Sequence, residues 1–276
     1  MTSAENIDAY FDCVLGLTKI AGELIREKVK AGVKVNTKDC DIDLVTETDQ
    51  EVEKLLINGL KTNFPSHKFI GEETVASGQK CELSNSPTWV IDPIDGTMNF
   101  VHAFPHCCIS VALFIDAAPV IGIIYNPTLE QLFTAKKGQG AYLNGEKIHV
   151  SKVATMNKAL LMMENGTSRE PERVKTVFAN HQILIPKLHG TRTLGSAALN
   201  MAMVAMGAAD AYFEFGIHIW DIGAGEILIT EAGGVVIDPV GGPLDRCSRR
   251  VLCASTNDLA VEFTKCLQQY YPMPRD

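Results

Sequence analysis

The chain has 276 residues, 46% of them hydrophobic, which is enough apolar material for a sizeable core in one compact unit. Its formal net charge of -8 argues against nucleic acid or an anionic membrane as the main partner, because both require a basic surface. The first residues show no secretory signal, so the eight cysteines are expected to be free thiols in a reducing, cytoplasmic compartment.

In the first half of the chain, two amphipathic helices precede a series of strands. The first helix is predicted over residues 3–31, and the second from about Thr46 to Asn63, with Asp49 in its first turn. The helix dipole by itself favours an acid in that turn. Asn144-Gly145 predicts a type I′ hairpin. Further strands are predicted at 68–70, 88–91, 108–115, 120–125 and 132–134.

In the second half, strands alternate with helices. A set of strands followed by this alternation predicts an α/β protein built in layers of helix and sheet. The basic segment 246–250 is predicted to be a solvated or interface turn. The predicted strands are 159–163, 183–188, 211–214, 234–238 and 251–254. The predicted helices are 169–180, 196–206, 221–232 and 257–269.

The segment 91–100 is the most informative part of the sequence. Asp92 and Asp95 stand three residues apart around Pro93, and Gly96-Thr97 follows at once. Proline restricts the residue before it, so the strand is expected to end at residue 91 in a turn that aims both carboxylates the same way. Gly96 has no Cβ, so an anion could approach the N–H groups of residues 96 and 97. We predict a loop that binds metal and phosphate; the alternative is an ordinary acidic turn.

Two other segments place acids at the ends of predicted elements. Glu72 and Glu73 follow the short apolar run Phe69-Ile-Gly71, and Asp221 stands at the start of a predicted helix, where it could also act as the N-cap. Carboxylates from three such places suit a hard cation bound by oxygen ligands.

These segments resemble a known family. Gly71-Glu-Glu73, Asp92-Pro-Ile-Asp-Gly-Thr97 and Trp220-Asp-Ile-Gly-Ala-Gly225 are similar to the signatures of the lithium-sensitive, magnesium-dependent phosphatases, and most similar to the inositol monophosphatase family. The resemblance runs from about residue 5 to about residue 272 and includes Asp43-Leu-Val-Thr-Glu-Thr-Asp49.

The resemblance implies a fold and an activity. The fold is a five-layer α-β-α-β-α sandwich of the inositol monophosphatase and fructose-bisphosphatase type, a single domain over 1–276 with halves at about 1–151 and 152–276, paired into homodimers. The activity is the hydrolysis of inositol monophosphates to inositol and phosphate by direct attack of water. It depends on two to three Mg²⁺ ions and is inhibited by Li⁺.

The resemblance also assigns roles to residues of the acidic segments. Glu72, Asp92 and the backbone carbonyl of Ile94 would bind one Mg²⁺. Asp92, Asp95 and Asp221 would bind a second, and a third, weaker ion would lie near Glu72. Thr97 would hydrogen-bond the attacking water. Asp49 would accept a hydrogen bond from the Thr97 hydroxyl and so raise the basicity of the Thr97 oxygen. Without the resemblance, the Thr97 hydroxyl could equally satisfy the backbone of its own turn.

Substrate contacts come from a wider set of residues. Glu214, at the end of the strand Tyr212-Phe-Glu-Phe215, is expected to be an exposed carboxylate that accepts inositol hydroxyls, or else a solvated strand-end acid. His218 is expected to be a packed, neutral histidine. The resemblance implies substrate contacts for Asp95, Gly96, Thr97, Thr167, Gly195, Ser196, Ala197, Glu214 and Asp221.

Three alternatives remain open at this stage. A phosphatase that forms an aspartyl-phosphate would use Asp-x-Asp-Gly-Thr, whereas this chain has one residue more between its aspartates. A bisphosphate nucleotidase or a sugar-phosphate phosphatase would keep the fold and change the substrate. A scaffold protein without activity could use the same fold, but it would be free to lose the acidic residues that this chain keeps.

Overall fold

The computed structural model describes residues 4–31, 35–37 and 44–276. Asp43, the first acid of the segment 43–49, lies outside the described residues, as does Cys40. The first two helices follow the predicted pattern, and the second begins directly after Thr46, whose side chain accepts from the N–H groups of Thr48 and Asp49. The elements are α1 (Ala4–Ala31), β1 (Val35–Thr37), β2 (Leu44–Thr46) and α2 (Glu47–Asn63), and β1 pairs antiparallel with β2.

A seven-stranded sheet follows, with its strands in chain order. The first pair is parallel and the other pairs are antiparallel. Asn144 and Gly145 both have positive φ, 50° and 85°, which confirms the predicted type I′ hairpin. The strands are β3 (Lys68–Gly71), β4 (Thr88–Asp95), β5 (Cys108–Ile115), β6 (Ala118–Asn126), β7 (Gln131–Lys136), β8 (Gly140–Leu143) and β9 (Glu146–Ile148). Two short helices interrupt this series, α3 (Glu72–Ala76) and α4 (Thr97–Val101).

The second half forms a five-stranded sheet with the order β11-β10-β12-β14-β13. Its strands are β10 (Leu160–Met163), β11 (Gly190–Arg192), β12 (Ala211–Phe215), β13 (Val235–Ile237) and β14 (Arg250–Ala254). Its helices are α5 (Pro171–Leu184), α6 (Ala197–Ala205), α7 (Ile219–Glu231) and α8 (Asn257–Thr264).

One sequence prediction for this half is wrong, and another holds only in part. Residues 183–188 form no strand: α5 continues to Leu184 and a 3-10 turn follows at Ile185–Lys187, because a short apolar run does not distinguish a strand from a helix end. The segment 246–250 was predicted to be a solvated or interface turn; it does form a turn up to residue 249, but Arg246 and Arg250 are bound by acids and not solvated. Arg246 binds both carboxylate oxygens of Glu226, at 2.7 and 2.5 Å, and Arg250 binds those of Asp238, at 3.1 and 2.6 Å.

The elements stack in five layers. Alternate side chains of each sheet face opposite sides, so each sheet contacts two apolar layers. One face of the large sheet packs on α1 and α2, and its other face packs on α6 and α7. The small sheet also covers α6 and α7, and its outer face packs on α5 and α8. The predicted α-β-α-β-α sandwich is confirmed, and α6 and α7 form a central layer shared by both sheets.

Adjacent cysteines show how strictly this alternation holds. Cys107 belongs to the cluster on the α1/α2 side of the large sheet, and Cys108 to the cluster on the α6/α7 side. All seven cysteines within the described residues are free thiols. Within the same residues, no helix combines the length and the apolar character needed to cross a membrane.

Candidate functional site

A β-bulge in β4 brings the first two acids together. Asp92 pairs with Ser110 and Asp95 with Cys108, so three steps along β4 oppose two steps along β5. In a regular strand, residues three apart face opposite sides of the sheet; the additional residue of the bulge places both carboxylates on one side. Pro93 fits this irregular position because it has no N–H to pair. The expected turn at residue 91 is therefore wrong: the strand continues through the bulge to Asp95.

Asp221 joins these two acids from α7. One carboxylate oxygen from each of Asp92, Asp95 and Asp221 lies within 4.8 Å of the others. Asp221 is the third residue of its helix, and its Oδ2 accepts the backbone N–H of His218 at 2.6 Å. The N-cap is thus His218 and not Asp221. Asp221 lies within the first turn, and its carboxylate accepts the N–H of the N-cap residue.

The three acids resist ionisation together. Burial raises the pKa of all three, and the charges of neighbouring carboxylates raise the pKa of Asp92 and Asp221 further. For Asp95, burial raises the pKa to about 6, although hydrogen bonds from Ser196, Ala198 and Ala197 act in the opposite direction. Buried carboxylates this close need a positive charge among them, and a set of oxygen donors suits a hard divalent cation. The residues therefore fit the metal site that the sequence predicts.

Glu72 reaches the same group from the first residue of α3. Its carboxylate lies close enough to Asp92 for its negative charge to raise the pKa of Asp92. A second acid, Glu53 of α2, holds this short helix: Glu53 accepts the N–H groups of Glu73 and Thr74, at 2.8 and 3.0 Å, and the Thr74 hydroxyl. A Cβ at Gly71 would lie 2.4 Å from Glu53 Oε2, so only glycine allows this approach.

Asp49 and Thr97 are in contact, as predicted. The Thr97 hydroxyl lies 3.3 Å from Asp49 Oδ1 and 3.1 Å from the Ile94 carbonyl oxygen, and its single proton can serve one of them at a time. Asp49 Oδ2 accepts the backbone N–H and the hydroxyl of Thr46, at 2.9 and 2.5 Å. Asp49 thus completes the capping box of α2 and also faces Thr97. Its structural role at the start of the helix and its predicted contact with Thr97 are therefore compatible.

Gly96 has a left-handed backbone and lies close to two other loops. Its φ is 88°, and a Cβ there would lie 3.0 Å from the carbonyl oxygens of both Gly195 and His106. The missing side chain therefore makes room for the protein backbone at these two positions. Asn99 of α4 ties the same loops together: its Nδ2 lies 2.7 Å from the His106 carbonyl oxygen and 2.6 Å from that of Leu194.

Residues 195–197, predicted to contact substrate, lie against Asp95. The Ser196 hydroxyl and the Ala198 N–H each donate to Asp95 Oδ2 at 2.6 Å, and the Ala197 N–H donates to Oδ1 at 3.3 Å. Ser196 is the N-cap of α6. The N-terminus of α6 therefore orients the Asp95 carboxylate, an arrangement that the helix dipole favours.

The two other predicted substrate residues lie in different surroundings. Thr167 is exposed in the loop after β10. Glu214 is not the exposed acid that was expected, since its side chain is only 10% exposed. Its Oε2 accepts the Tyr212 hydroxyl at 2.6 Å, and burial, followed by the charge of Glu164, raises its pKa to about 8.

His218 supports the start of α7 through its ring contacts. Its ring stacks on Trp220, with centroids 4.4 Å apart. Nε2 lies 3.1 Å from an Arg249 nitrogen, which can only donate, so the ring proton is on Nδ1, 2.5 Å from Asp276 Oδ1. This is the neutral, packed histidine that was predicted. The other oxygen of Asp276 accepts the N–H of Ile219 at 3.0 Å.

Comparison with known proteins places this site in a family. The model of the inositol monophosphatase family matches residues 7–271. The chain belongs to the inositol monophosphatase family. Inositol monophosphatase 1 of Bos taurus is 47% identical over 266 residues, which cover 96% of each chain. This membership confirms the resemblance carried by the three acidic segments.

Solved structures agree with this assignment of family and fold. The extragenic suppressor protein suhB from Bartonella henselae superposes with a TM-score of 0.84 at 26% identity, covering 95% of this chain and 99% of that one. An inositol monophosphatase from Anabaena gives a TM-score of 0.83 at 31% identity, covering 97% and 98%. The layered arrangement described above is therefore that of the inositol monophosphatase family.

Sequence inspection missed the residues that support the site, above all Glu53. A signal for Glu53 was present, because it follows Asp49 by four residues and precedes the buried Leu56 by three, on the inward stripe of α2. A buried acid on such a stripe needs hydrogen-bond donors from another element. No comparable local signal indicated Asn99, whose partners are distant in sequence.

Proposed function

We propose that the protein is a magnesium-dependent phosphomonoesterase that hydrolyses inositol monophosphates to inositol and phosphate. The observation that carries this proposal is the group of buried carboxylates Asp92, Asp95 and Asp221 beside the Asp49–Thr97 pair. Relatives named inositol monophosphatase, at close to half identity over almost the whole chain, support the choice of substrate.

The acids divide into two ligand sets that share one residue. Glu72, Asp92 and the Ile94 carbonyl would hold one Mg²⁺, while Asp92, Asp95 and Asp221 would hold another, with a third ion near Glu72. Bound Mg²⁺ would neutralise charge on the phosphoryl oxygens and lower the pKa of water, and we expect Li⁺ to inhibit the enzyme. The raised pKa values of Asp92, Asp95 and Asp221 support a site that ionises fully only with cations present.

The Asp49–Thr97 pair orients the attacking water and accepts its proton. The Thr97 hydroxyl donates to Asp49, which leaves a lone pair on Oγ1 to accept a hydrogen bond from water. As the water oxygen bonds to phosphorus, its proton passes to Thr97 Oγ1, the Thr97 proton passes to Asp49, and the P–O bond to inositol breaks, so that the inositol oxygen leaves and takes up a proton from solvent. Thr46 keeps the Asp49 carboxylate in place by two hydrogen bonds. Glu72 completes the catalytic set beside the same water.

Substrate contacts follow from the surrounding elements. The N–H groups of Gly96 and Thr97 stand at the start of α4, where backbone donors have no partner within the helix, and they would bind the phosphoryl group. Glu214 would accept hydroxyls of the inositol ring. The other substrate contacts would come from the start of α6, from the loop after β10 and from two of the site acids. These residues are Asp95, Asp221, Thr167, Gly195, Ser196 and Ala197.

We further propose a homodimer of single-domain subunits, each spanning residues 1–276 with halves at about 1–151 and 152–276, that acts in the cytoplasm without nucleic acid or membrane partners. The net charge of -8 supports the proposal that neither nucleic acid nor an anionic membrane is a partner, because binding to both requires a basic surface.

Phosphate release from inositol 1-phosphate with Mg²⁺ tests the proposal. The panel also contains 2-phosphoglycerol, sugar phosphates and 3′-phosphoadenosine 5′-phosphate. The proposal requires the highest kcat/KM for an inositol monophosphate and loss of turnover in EDTA. A higher kcat/KM for the nucleotide or a sugar phosphate would move the protein to a related activity of the fold, and no release from any substrate would indicate a scaffold.

A further inference from the structure

Arg173 is a buried arginine that the proposed mechanism does not use. It is the third residue of α5, and its side chain is only 6% exposed. Among the residues that the structure describes, no group hydrogen-bonds its Nε. Arginine is seldom buried without hydrogen-bond partners, so the burial of this guanidinium needs an explanation.

Two glycines make room for this guanidinium. A Cβ at Gly166 would lie 2.1 Å from Arg173 Nη2, and a Cβ at Gly216 would lie 2.5 Å from its Cζ and Nη1. Both glycines have positive φ, 68° and 88°, which also disfavours other residues. Gly166 belongs to the loop that carries Thr167, and Gly216 follows the strand that carries Glu214. Arg173 therefore packs between the two segments predicted to contact the polyol.

The guanidinium also faces the Glu214 carboxylate. Arg173 Nη2 lies 3.8 Å from Glu214 Oε1, which is a charge contact beyond hydrogen-bond distance. The other oxygen, Oε2, is already occupied by the Tyr212 hydroxyl. Within the part of the chain that the structure describes, no protein donor hydrogen-bonds Oε1, so this oxygen is free to accept a hydroxyl group.

The charged neighbours of Glu214 act on its pKa in opposite directions. The nearby Glu164 carboxylate is held by three donors at 2.8 Å, the N–H groups of Leu194 and Gly195 and the Asn200 amide, and its negative charge opposes ionisation of Glu214. The charge of Arg173 acts in the opposite direction and lowers the pKa of Glu214. A protonated Glu214 would be a weaker acceptor for a hydroxyl group.

We propose that Arg173 is a specificity-determining positioning residue, which holds the Glu214 carboxylate and the two segments beside it so that Oε1 is available for a hydroxyl of a cyclic polyol monophosphate. This inference rests on the proposed function, and it names the residue through which that site would distinguish inositol monophosphates from shorter phosphate esters. Arg173 acts through Glu214 and through the two loops on either side of it, without contacting the phosphoryl group.

The test compares Arg173→Met, Arg173→Lys, Glu214→Gln and the double variant Arg173→Met/Glu214→Gln. Lys175→Met is the matched control, since it removes a positive charge two residues away on the same helix, where the side chain is 71% exposed. KM and kcat are measured with inositol 1-phosphate and with 2-phosphoglycerol, and melting temperatures are recorded for every variant.

For Arg173→Met we expect kcat/KM on inositol 1-phosphate to fall about tenfold, mostly through KM, with a loss several times smaller on 2-phosphoglycerol. Arg173→Lys should recover part of the loss, because it retains the charge. In the Glu214→Gln background, Arg173→Met should add little, since its effect passes through the carboxylate.

Three results would overturn the assignment of Arg173 while leaving the proposed function intact: wild-type KM in Arg173→Met, equal losses on both substrates accompanied by a lower melting temperature, or additive losses in the double variant. An effect of Lys175→Met as large as that of Arg173→Met would also overturn it, because any nearby charge would then suffice. A wild-type protein that releases no phosphate from inositol 1-phosphate would instead refute the proposed function, and the assignment with it.

Discussion

Replacing Glu53 by glutamine tests whether a residue remote from the substrate sets the position of Glu72. The Glu53 carboxylate accepts three hydrogen bonds from the first turn of α3, two from backbone N–H groups and one from the Thr74 hydroxyl. Glutamine has nearly the same shape, but one of its oxygens is replaced by an NH₂ group that can only donate. One donor at the start of α3 then faces another donor inside the protein.

The size of the effect follows from these contacts. A hydrogen bond to a charged group contributes about 1.5–3 kcal/mol, and an unsatisfied buried donor costs about 1–3 kcal/mol. Burial raises the pKa of Glu53, so removing its charge recovers part of this loss. We expect a net loss near 2 kcal/mol in the free energy of unfolding, which lowers the melting temperature by about 4–8 °C in a chain of this length.

The effect on activity should appear in the requirement for metal. Glu72 directly precedes the residue whose N–H binds Glu53, so a loosened first turn displaces a predicted Mg²⁺ ligand. The Mg²⁺ concentration for half-maximal activity should rise several-fold, with little change of kcat at saturating Mg²⁺. Gly71→Ala should act in the same direction, because its Cβ would lie 2.4 Å from Glu53 Oε2.

Phosphate release over a Mg²⁺ titration, together with thermal melting, measures both quantities. Glu51→Gln is the matched control: it lies two residues away on α2, is 46% exposed and pairs with Lys28 at the surface. It should change neither quantity. A Glu53→Gln protein with wild-type Mg²⁺ activation, even if it is less stable, would show that Glu53 supports only the fold.

Three further predictions concern the carboxylates themselves. Asp92→Asn should lower kcat by orders of magnitude and more than Glu72→Gln does, because a bridging amide has one acceptor oxygen; near-normal turnover with an intact fold would refute the bridging role. Asp49→Asn and Thr97→Ala should each cost in kcat nearly what the double variant costs, whereas additive losses in the activation free energy would separate the two residues. The folded chain binds more protons than the unfolded chain between the ordinary pKa of Asp95, 3.8, and its folded value of about 6, so stability without metal falls as the pH rises through this range. Added Mg²⁺ should therefore raise the melting temperature more at about pH 7.5 than at about pH 5, and equal increases would contradict a site that needs cations to ionise.

Much of the fold could be predicted because its signals are local. The apolar stripes of α1 and α2 recur at helical spacing, and Asn144-Gly145 has the conformation that its turn type requires. The acids of the site also lay in short segments with distinctive composition. The resemblance then supplied the five layers, which no local pattern specifies.

The wrong predictions concern residues whose structure and exposure are determined by contacts with distant parts of the chain. Residues 183–188 were predicted as a strand from an apolar run, but only the packing of α5 shows that Leu184 is the buried position. Glu214 was expected to be exposed at a strand end, yet Tyr212 and Arg173 enclose it. Their positions depend on pairing between strands and on the fold of the whole chain, which periodicity within one segment does not report.

The bulge in β4 is as necessary to the site as the aspartates on either side of it. Asp92 and Asp95 are three residues apart, and they share a side of the sheet only because three steps along β4 oppose two steps along β5. If β4 kept this spacing but formed a regular strand, one of the two carboxylates would turn to the opposite side, toward the layer that contains α1 and α2. A variant that retained both acids but lost the bulge would therefore fold around a site with one ligand missing.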